Sequence, residues 1–184
     1  MNPNVSIEKI TLINFRNHKN TNISDLRPFI VLTGENGSGK TNLLEAISLF
    51  APGRGLKNAK LNEIPFLNND VRHFEIKLEI KYDTGNIILH RYFSDENKRK
   101  NFVTLDEEKI NNSELLNYLN ILWVTPVMEK IMLQSNSEKR SFFDRLTFNV
   151  NNNHLKNLSK LQKLLKERLT LLKKVNYESE WISI

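Results

Sequence analysis

The feature that most constrains this chain is a glycine-rich loop of the form G-x-x-x-x-G-K-[ST], which lies within its first quarter. Its residues are Gly34, Glu35, Asn36, Gly37, Ser38, Gly39, Lys40 and Thr41. Glycines permit the positive backbone dihedral angles that turn successive amide groups toward one point, and such a concavity binds anions. A strand should enter the loop and a helix should leave it, because the helix N-terminus adds its positive dipole at the same point.

The residues on both sides of the loop have the patterns that this geometry requires. Residues 29–32 are a continuous apolar run, Phe-Ile-Val-Leu, which is typical of a strand buried on both faces. After the loop the apolar residues follow helical spacing until a Pro-Gly pair ends the helix, and they are Leu43, Leu44, Ile47 and Phe50. The alternative is a glycine turn that binds nothing, and the context of strand, loop and helix argues against it.

Two side chains of the loop have roles at a nucleoside triphosphate. Lys40 places a positive charge between the terminal phosphates, and the hydroxyl of Thr41 can complete a Mg²⁺ shell whose other ligands are phosphate oxygens and water. The sequence therefore predicts a site for ATP with Mg²⁺. The four histidines share no spacing that would indicate a metal site of their own.

The remaining patterns predict strands up to residue 135 and helices after it. Residues 5–15 alternate with one phase slip, which predicts a strand with a bulge. Residues 74–80 and 87–93 flank an Asp-Thr-Gly-Asn segment, which predicts an antiparallel hairpin. Short strands are expected at residues 102–105 and 121–124, and a capped helix at Ser113. Ser137 is the predicted start of the next helix, although Arg140 stands where a capping box has Glu or Gln.

The last part of the chain combines a leucine stripe with the whole excess of positive charge. The leucines recur at intervals of three and four residues, which predicts a long amphipathic helix or a coiled-coil arm, and they are Leu155, Leu158, Leu161, Leu165, Leu169 and Leu172. Residues 154–175 carry seven bases and one acid, which accounts for the net charge of +6. The candidates for contact with DNA phosphates are Lys156, Lys160, Lys163 and Lys166. The alternative is a solvated lysine face on a helix that packs through its leucines.

Composition excludes several other classes of protein. The chain has no cysteine, so disulfide scaffolds and thiolate sites are excluded. No apolar run approaches the ~18 residues of a membrane span, and the first ten residues lack the apolar core of a signal peptide. A cytoplasmic protein without a membrane partner is expected. The predicted fold is α/β, with a P-loop ATPase lobe at residues 1–135, built as a mixed sheet around the phosphate-loop helix. Residues 136–184 are the predicted start of a helical, coiled-coil-like arm.

Several sequence blocks resemble the SMC-like ATPases. They are Leu12-Ile13-Asn14-Phe15-Arg16-Asn17, the phosphate loop followed by Asn42, and Leu44-Glu45-Ala46-Ile47. Three further blocks are similar to the RecF family of recombination mediators, namely Pro52-Gly53-Arg54-Gly55-Leu56, Trp123-Val124-Thr125-Pro126, and the Lys-Arg-Ser-Phe-Phe-Asp-Arg-Leu run at residues 139–146. The resemblance covers nearly the whole chain and corresponds to the N-terminal half of a RecF protein.

The resemblance implies an ABC-type ATPase head in which two subunits of a homodimer enclose ATP. It implies binding to single-stranded and gapped duplex DNA, and a role with RecO, RecR and RecA in DNA replication, recombinational repair and the SOS response. It also places Asn42 in the loop motif and Arg16 near the nucleotide phosphates. The family's signature segment is not in this chain, and no segment is assigned as the family's Walker B strand. The chain alone is therefore expected to bind ATP without hydrolysing it, and no catalytic residue is assigned.

Two functions from other classes share the phosphate loop. A small P-loop phosphotransferase would need clustered arginines in a lid over the phosphates, whereas the basic segment at residues 154–175 has one arginine among its leucines. An interaction fragment with a vestigial nucleotide site is the other alternative. Measurement of nucleotide binding separates that alternative from the other two, and turnover of nucleoside acceptors would identify a phosphotransferase.

Overall fold

A six-stranded antiparallel sheet organises the first part of the chain. The computed structural model describes residues 5–66, 72–96, 100–151 and 153–174, and the chain divides into two units, Met1–Lys130 and Ile131–Ile184. The strands are β1 (Ser6–Phe15), β2 (His18–Ile23), β3 (His73–Tyr82), β4 (Gly85–Ser94), β5 (Lys100–Leu105) and β6 (Glu108–Ile110). Their order across the sheet is β2-β1-β3-β4-β5-β6, and each of these neighbouring pairs is antiparallel.

The alternating pattern of β3 explains why the sheet has one buried face. Its apolar residues Phe74, Ile76, Leu78 and Ile80 are fully buried, and charged residues alternate with them on the other face. Tyr82 pairs with Gly85, so a two-residue turn joins β3 to β4 and the predicted hairpin is confirmed. The predicted bulge is confirmed as well, since the register of β1 against β3 shifts between Ile7 and Lys9.

Helix α1 (Lys40–Ser48) leaves the phosphate loop as predicted and packs into the same core. Leu43, Ala46 and Phe50 are buried against the sheet residues, whereas Leu44 is half-exposed. A short 3₁₀ turn at Leu61–Glu63 and helix α2 (Asn112–Leu115) complete this unit. The side chain of Asn111 caps α2 by accepting from two backbone amides, so the N-cap lies two residues before Ser113 and the helix begins one residue before it.

Two predicted strands are wrong. Residues 29–32 are irregular and open to solvent, with Phe29 94% and Val31 85% exposed, and residues 121–124 are irregular with Val124 81% exposed. A strand buried on both faces needs a hydrogen-bonding neighbour and apolar layers above and below it. Within the described residues neither segment pairs with a strand. The expected mixed sheet is therefore antiparallel throughout its described pairs.

The second unit is helical. Helix α3 (Asn136–Val150) begins one residue after its N-cap, Ser135, and Glu138 completes a capping box. The predicted start at Ser137 is thus late, because Ser135 and not Ser137 has an acid three residues on. Hydrogen bonds from the Ser135 hydroxyl and backbone lower the pKa of the Glu138 carboxyl.

Helix α4 (Asn153–Lys174) confirms the predicted long helix. At its start the His154 ring lies beside Phe148 with the ring centroids 5.4 Å apart, and its Nε2 lies 2.8 Å from Oδ1 of Asp144 in α3. Farther along, the stripe leucines Leu161, Leu165, Leu169 and Leu172 remain more than half exposed, so no described residue covers that part of the stripe and a coiled coil stays a prediction. Among the described helices, none is both long and apolar enough to cross a bilayer.

Candidate phosphate-binding site

The loop of residues 34–41 is an open turn that continues directly into α1. Gly34, Gly37 and Gly39 have φ angles of 148°, 87° and 102°, in the region that only glycine adopts at little cost. Gly39 is the N-cap of α1 and no side chain caps the helix, so the first-turn amides are left for another acceptor. A Cβ added to Gly37 would meet no atom within 4 Å, which shows that the loop is open at this point.

The ammonium group of Lys40 lies across the loop. Its Nζ donates to the carbonyl oxygens of Gly34 at 2.7 Å and Glu35 at 2.6 Å. A phosphate oxygen can replace either carbonyl as the acceptor, with a stronger bond because both partners would be charged. The donors, the helix terminus and this cation therefore fit a polyphosphate.

Thr41 is exposed in the first turn of α1, where its hydroxyl is accessible. In the described part of the chain, no group of three or more His, Asp or Glu side chains could hold a metal ion. A cation at Thr41 would therefore need phosphate oxygens and water as its other ligands, which is the usual arrangement for Mg²⁺ beside a nucleotide.

The turn between β1 and β2 contacts the loop from the side. Nδ2 of Asn17 donates to the carbonyl of Gly37 at 3.2 Å, and Nε2 of His18 lies 3.3 Å from the carbonyl of Gly39. Asn42 joins the same network, because its Nδ2 donates to Oδ1 of Asn17 at 2.8 Å. The sequence reasoning did not identify His18 as a neighbour of the loop. The sequence feature that could have identified His18 is its position directly after the Asn-Phe-Arg-Asn block.

Arg16 is bound to a buried carboxylate of α1. Its Nε and Nη2 donate to the two oxygens of Glu45 at 3.0 and 2.6 Å, and its Nη1 donates to the carbonyl of Glu63 at 2.8 Å. The Glu45 side chain is 1% exposed, and Lys57 Nζ lies 3.3 Å from the same carboxylate. The structure thus shows the Arg16 side chain bound to Glu45 of α1. Its predicted contact with nucleotide phosphates stays a prediction. Sequence reasoning missed the role of Glu45, although an acid among apolar neighbours in a helix is a signal for a buried ion pair.

The C-terminal end of α1 is held by Arg91 of β4. Its Nη1 donates to the carbonyl of Leu49, the C-cap residue, at 2.8 Å. The side chain is 7% exposed, and burial lowers the pKa of Arg91 to about 10. A cation at the C-terminus of a helix interacts favourably with its dipole, so Arg16 holds the body of α1 and Arg91 holds its C-terminal end.

The four candidate DNA-contact lysines lie in the other unit, on α4. Lys156, Lys160, Lys163 and Lys166 are all exposed. At about 100° per residue the first three fall within about 60° of one another, on the side of α4 opposite the leucine stripe. Lys163 lies 3.9 Å from Glu167, a weak exposed pair. Lys166 lies about 60° farther around the helix from Lys163, and we call these four exposed lysines together the α4 lysine face.

Comparison with known proteins gives consistent matches. A family model described as AAA domain matches residues 9–182. The DNA replication and repair protein RecF of Rickettsia prowazekii (strain Madrid E) is 38% identical over 98% of this chain and 49% of its own length. RecF of Rickettsia massiliae (strain Mtu5) is 37% identical with the same coverage. The chain spans about half the length of the curated relatives it matches.

Solved structures match the fold. The recombination mediator RecF with a bound ATP analogue, described as part of the RecFOR pathway, has a TM-score of 0.83 at 23% identity, over 96% of this chain and 47% of that one. A structure from a study of ATP-driven dimerisation in SMC ATPases has a TM-score of 0.57 at 20% identity, over 76% of this chain and 98% of that one. The antiparallel sheet, phosphate loop and helices therefore form the ATPase-head fold shared by RecF and SMC proteins, as the sequence predicts.

Proposed function

Because this chain belongs to the AAA domain family and is homologous to RecF over half the length of those proteins, we propose that it is the ATP-binding part of a cytoplasmic DNA replication and repair protein. In this role it binds ATP with Mg²⁺, binds gapped or single-stranded DNA in an ATP-dependent way, and assists RecA loading together with RecO and RecR. The observation that carries the proposal is the open, glycine-lined loop that ends at the uncapped N-terminus of α1.

Each group of the loop has a separate role in binding a triphosphate. The backbone amides of residues 37–41 are the donors to phosphate oxygens, because a nest and a helix N-terminus both favour negative charge. Lys40 exchanges the carbonyl of Gly34 or Glu35 for a terminal phosphate. Thr41 holds the Mg²⁺ ion, which neutralises charge on the phosphates, and Asn42 keeps the loop against the β1–β2 turn.

Hydrolysis needs groups beyond this chain. A carboxylate or equivalent must position the attacking water at the terminal phosphate, and a second subunit of the homodimer closes the site. The buried carboxylate of α1, Glu45, is held by Arg16 and Lys57 and is not available as a base. We therefore propose that this chain binds ATP and does not turn it over.

The test of ATP binding is the variant Lys40→Ala, measured by calorimetry with Mg²⁺ and ATP. Loss of a charge-assisted bond to phosphate should weaken binding about 10 to 150-fold, which corresponds to about 1.5 to 3 kcal/mol. Lys81→Ala is the matched control, because it removes a lysine of β3 that is 60% exposed and pairs with Glu8 on the surface, far from the phosphate loop in sequence. Unchanged affinity in a folded Lys40→Ala protein would overturn the proposal.

DNA binding is assigned to the α4 lysine face. Each lost lysine–phosphate contact should flatten the slope of log K against log salt by ~0.9 on duplex DNA, because fewer counterions are released. The test variant replaces Lys156, Lys160, Lys163 and Lys166 by Gln. The control replaces four exposed lysines of the first unit, Lys19, Lys60, Lys81 and Lys109, by Gln, so the net charge changes equally. Equal slopes for the two variants would show that the α4 lysine face is not a DNA surface.

A further inference from the structure

The strongest unassigned feature is the contact between the β1–β2 turn and the carbonyl groups of the phosphate loop. We propose that Asn17 and His18 are positioning residues that hold the loop in its anion-binding form by binding the carbonyls of Gly37 and Gly39. This inference rests on the proposed function, because it assigns the geometry of the same site. The two contacts measure 3.2 Å from Asn17 Nδ2 to Gly37 O and 3.3 Å from His18 Nε2 to Gly39 O.

The orientation of these carbonyls decides which way the loop amides point. In a planar trans peptide the C=O of one residue and the N–H of the next point in opposite directions. A Gly37 carbonyl held at the β1–β2 turn therefore turns the amide of Ser38 away from that turn, and the same holds for Gly39 and the amide of Lys40. Ser38 N donates a long bond of 3.3 Å to the carbonyl of Glu35, and a phosphate oxygen can replace that acceptor.

Glycine makes this restraint necessary. Gly37 and Gly39 have positive φ angles, and glycine also populates the opposite region readily, so their peptide planes can rotate at little cost. A rotated plane would direct a carbonyl oxygen, a partial negative charge, at the phosphates. Two bonds from a strand turn reduce that freedom before the ligand arrives, and such preorganisation increases affinity.

The hydrogen-bond partners of the His18 ring indicate that its Nε2 is the donor to the loop. Nδ1 lies 2.9 Å from the hydroxyl of Thr21, which can donate to it, and Nε2 lies against a carbonyl, which only accepts. Nε2 must therefore carry a hydrogen. Gly39 O accepts from Leu43 N at 3.0 Å as well, so the two lone pairs of this oxygen are both used.

Close packing supports the same role. A Cβ added to Gly39 would lie 2.6 Å from His18 Nε2 and 2.9 Å from Asn17 Nδ2, distances that real side chains do not reach. With a Cβ at residue 39, the side chains of Asn17 and His18 would have to move from these positions.

The test compares His18→Ala with His18→Gln, whose terminal amide can place a donor where Nε2 lies. Binding of ATP and of inorganic triphosphate, each with Mg²⁺, is measured by calorimetry. We expect His18→Ala to weaken both ligands about 3 to 10-fold, the effect of one neutral hydrogen bond, and His18→Gln to restore most of the loss. Asn17→Ala together with His18→Ala should weaken both ligands at least tenfold. His73→Ala, which removes a histidine of β3 that bonds Asn14 and Glu96, is the control.

The outcomes separate this inference from its premise. Equal losses for ATP and triphosphate, with an unchanged melting temperature in the absence of ligand, support a role in orienting the loop. A loss for ATP alone would mean contact with the base or sugar and would overturn the inference. If the wild type binds triphosphate and His18→Ala binds it equally, the inference is wrong while the proposed function stands. If the wild type binds neither ligand, both the inference and the proposed function are wrong.

A second variant covers the case in which His18→Ala fails to fold. His18→Leu keeps the bulk of the side chain without a donor, and wild-type affinity in His18→Leu would overturn the inference.

Discussion

The ion pair between Arg16 and Glu45 leads to an asymmetric prediction for stability. Glu45 is 1% exposed, whereas the Arg16 side chain is 21% exposed and can reach solvent. Arg16→Met removes the guanidinium and leaves the buried Glu45 carboxylate without this partner. Glu45→Gln removes the negative charge and leaves the Arg16 cation, which water can still solvate. Arg16→Met should therefore destabilise the protein more than Glu45→Gln.

The contacts set the size of the difference. A buried charge that loses its partner typically costs 3 to 5 kcal/mol, and Lys57 still lies 3.3 Å from Glu45, so we expect about 3 kcal/mol for Arg16→Met. Gln can still accept from Nη2, so Glu45→Gln should cost about 1 kcal/mol. The double variant contains no buried carboxylate at residue 45. It should lose less unfolding free energy than Arg16→Met alone, because replacing both members of a buried pair is often nearly neutral.

Urea unfolding followed by circular dichroism at pH 7 measures these differences for the wild type and the three variants. The double-mutant cycle gives the coupling energy directly, and we expect about 2 to 3 kcal/mol. Equal costs for the two single changes, or additivity within about 0.5 kcal/mol, would refute the reasoning. If Arg16 instead acts only on nucleotide phosphates, Arg16→Met leaves the unfolding free energy unchanged and lowers the affinity for ATP.

Two further predictions concern turnover and pH. The chain alone should show no ATPase activity above background at saturating ATP, and steady phosphate release that disappears in Lys40→Ala would contradict this. Burial lowers the pKa of His90, against a smaller raising effect of Glu75, so the unfolded chain binds the proton more readily than the folded one. Stability should accordingly fall as the pH drops through about 6.5, and His90→Gln should reduce the difference between unfolding free energies at pH 7.5 and pH 5.5. An identical difference in the variant would show that other groups cause the acid sensitivity.

The sequence predicts the parts of the fold that local patterns determine. The alternation of β3 and the turn at Asp83 and Thr84 are enough to place a hairpin, and the glycine spacing is enough to place the loop and α1. Strand β2 was missed because His18–Ile23 is mostly polar, and it exists through pairing with β1 rather than through any pattern of its own. The run at residues 29–32 has a buried-strand pattern, yet pairing partners decide whether such a run becomes a strand.

In the site, too, the sequence predicts what local patterns determine and misses what depends on contacts between distant residues. The loop motif identifies Lys40 and Thr41, because the motif itself carries the chemistry. The contacts of Asn17 and His18 with the loop carbonyls depend on which distant residues meet. That depends on the register of β1 against β2, in which Phe15 pairs with His18. Glu45 shows this limit: helical spacing places it beside apolar residues, but its burial is tolerable because the fold brings Arg16 and Lys57 to its carboxylate.

The register of the β1–β2 turn explains why three consecutive residues act on different parts of one site. Asn14 and Arg16 have φ angles of 52° and 54°, so the chain turns tightly between strands and successive side chains diverge instead of alternating. Arg16 reaches Glu45 in the body of α1, whereas Asn17 and His18 reach the carbonyls of the loop before it. A change in the turn that shifts its register by one residue would separate all three contacts at once. The position of α1 and the direction of the loop amides are therefore set by the same turn, which links the geometry of the phosphate site directly to the pairing of the sheet.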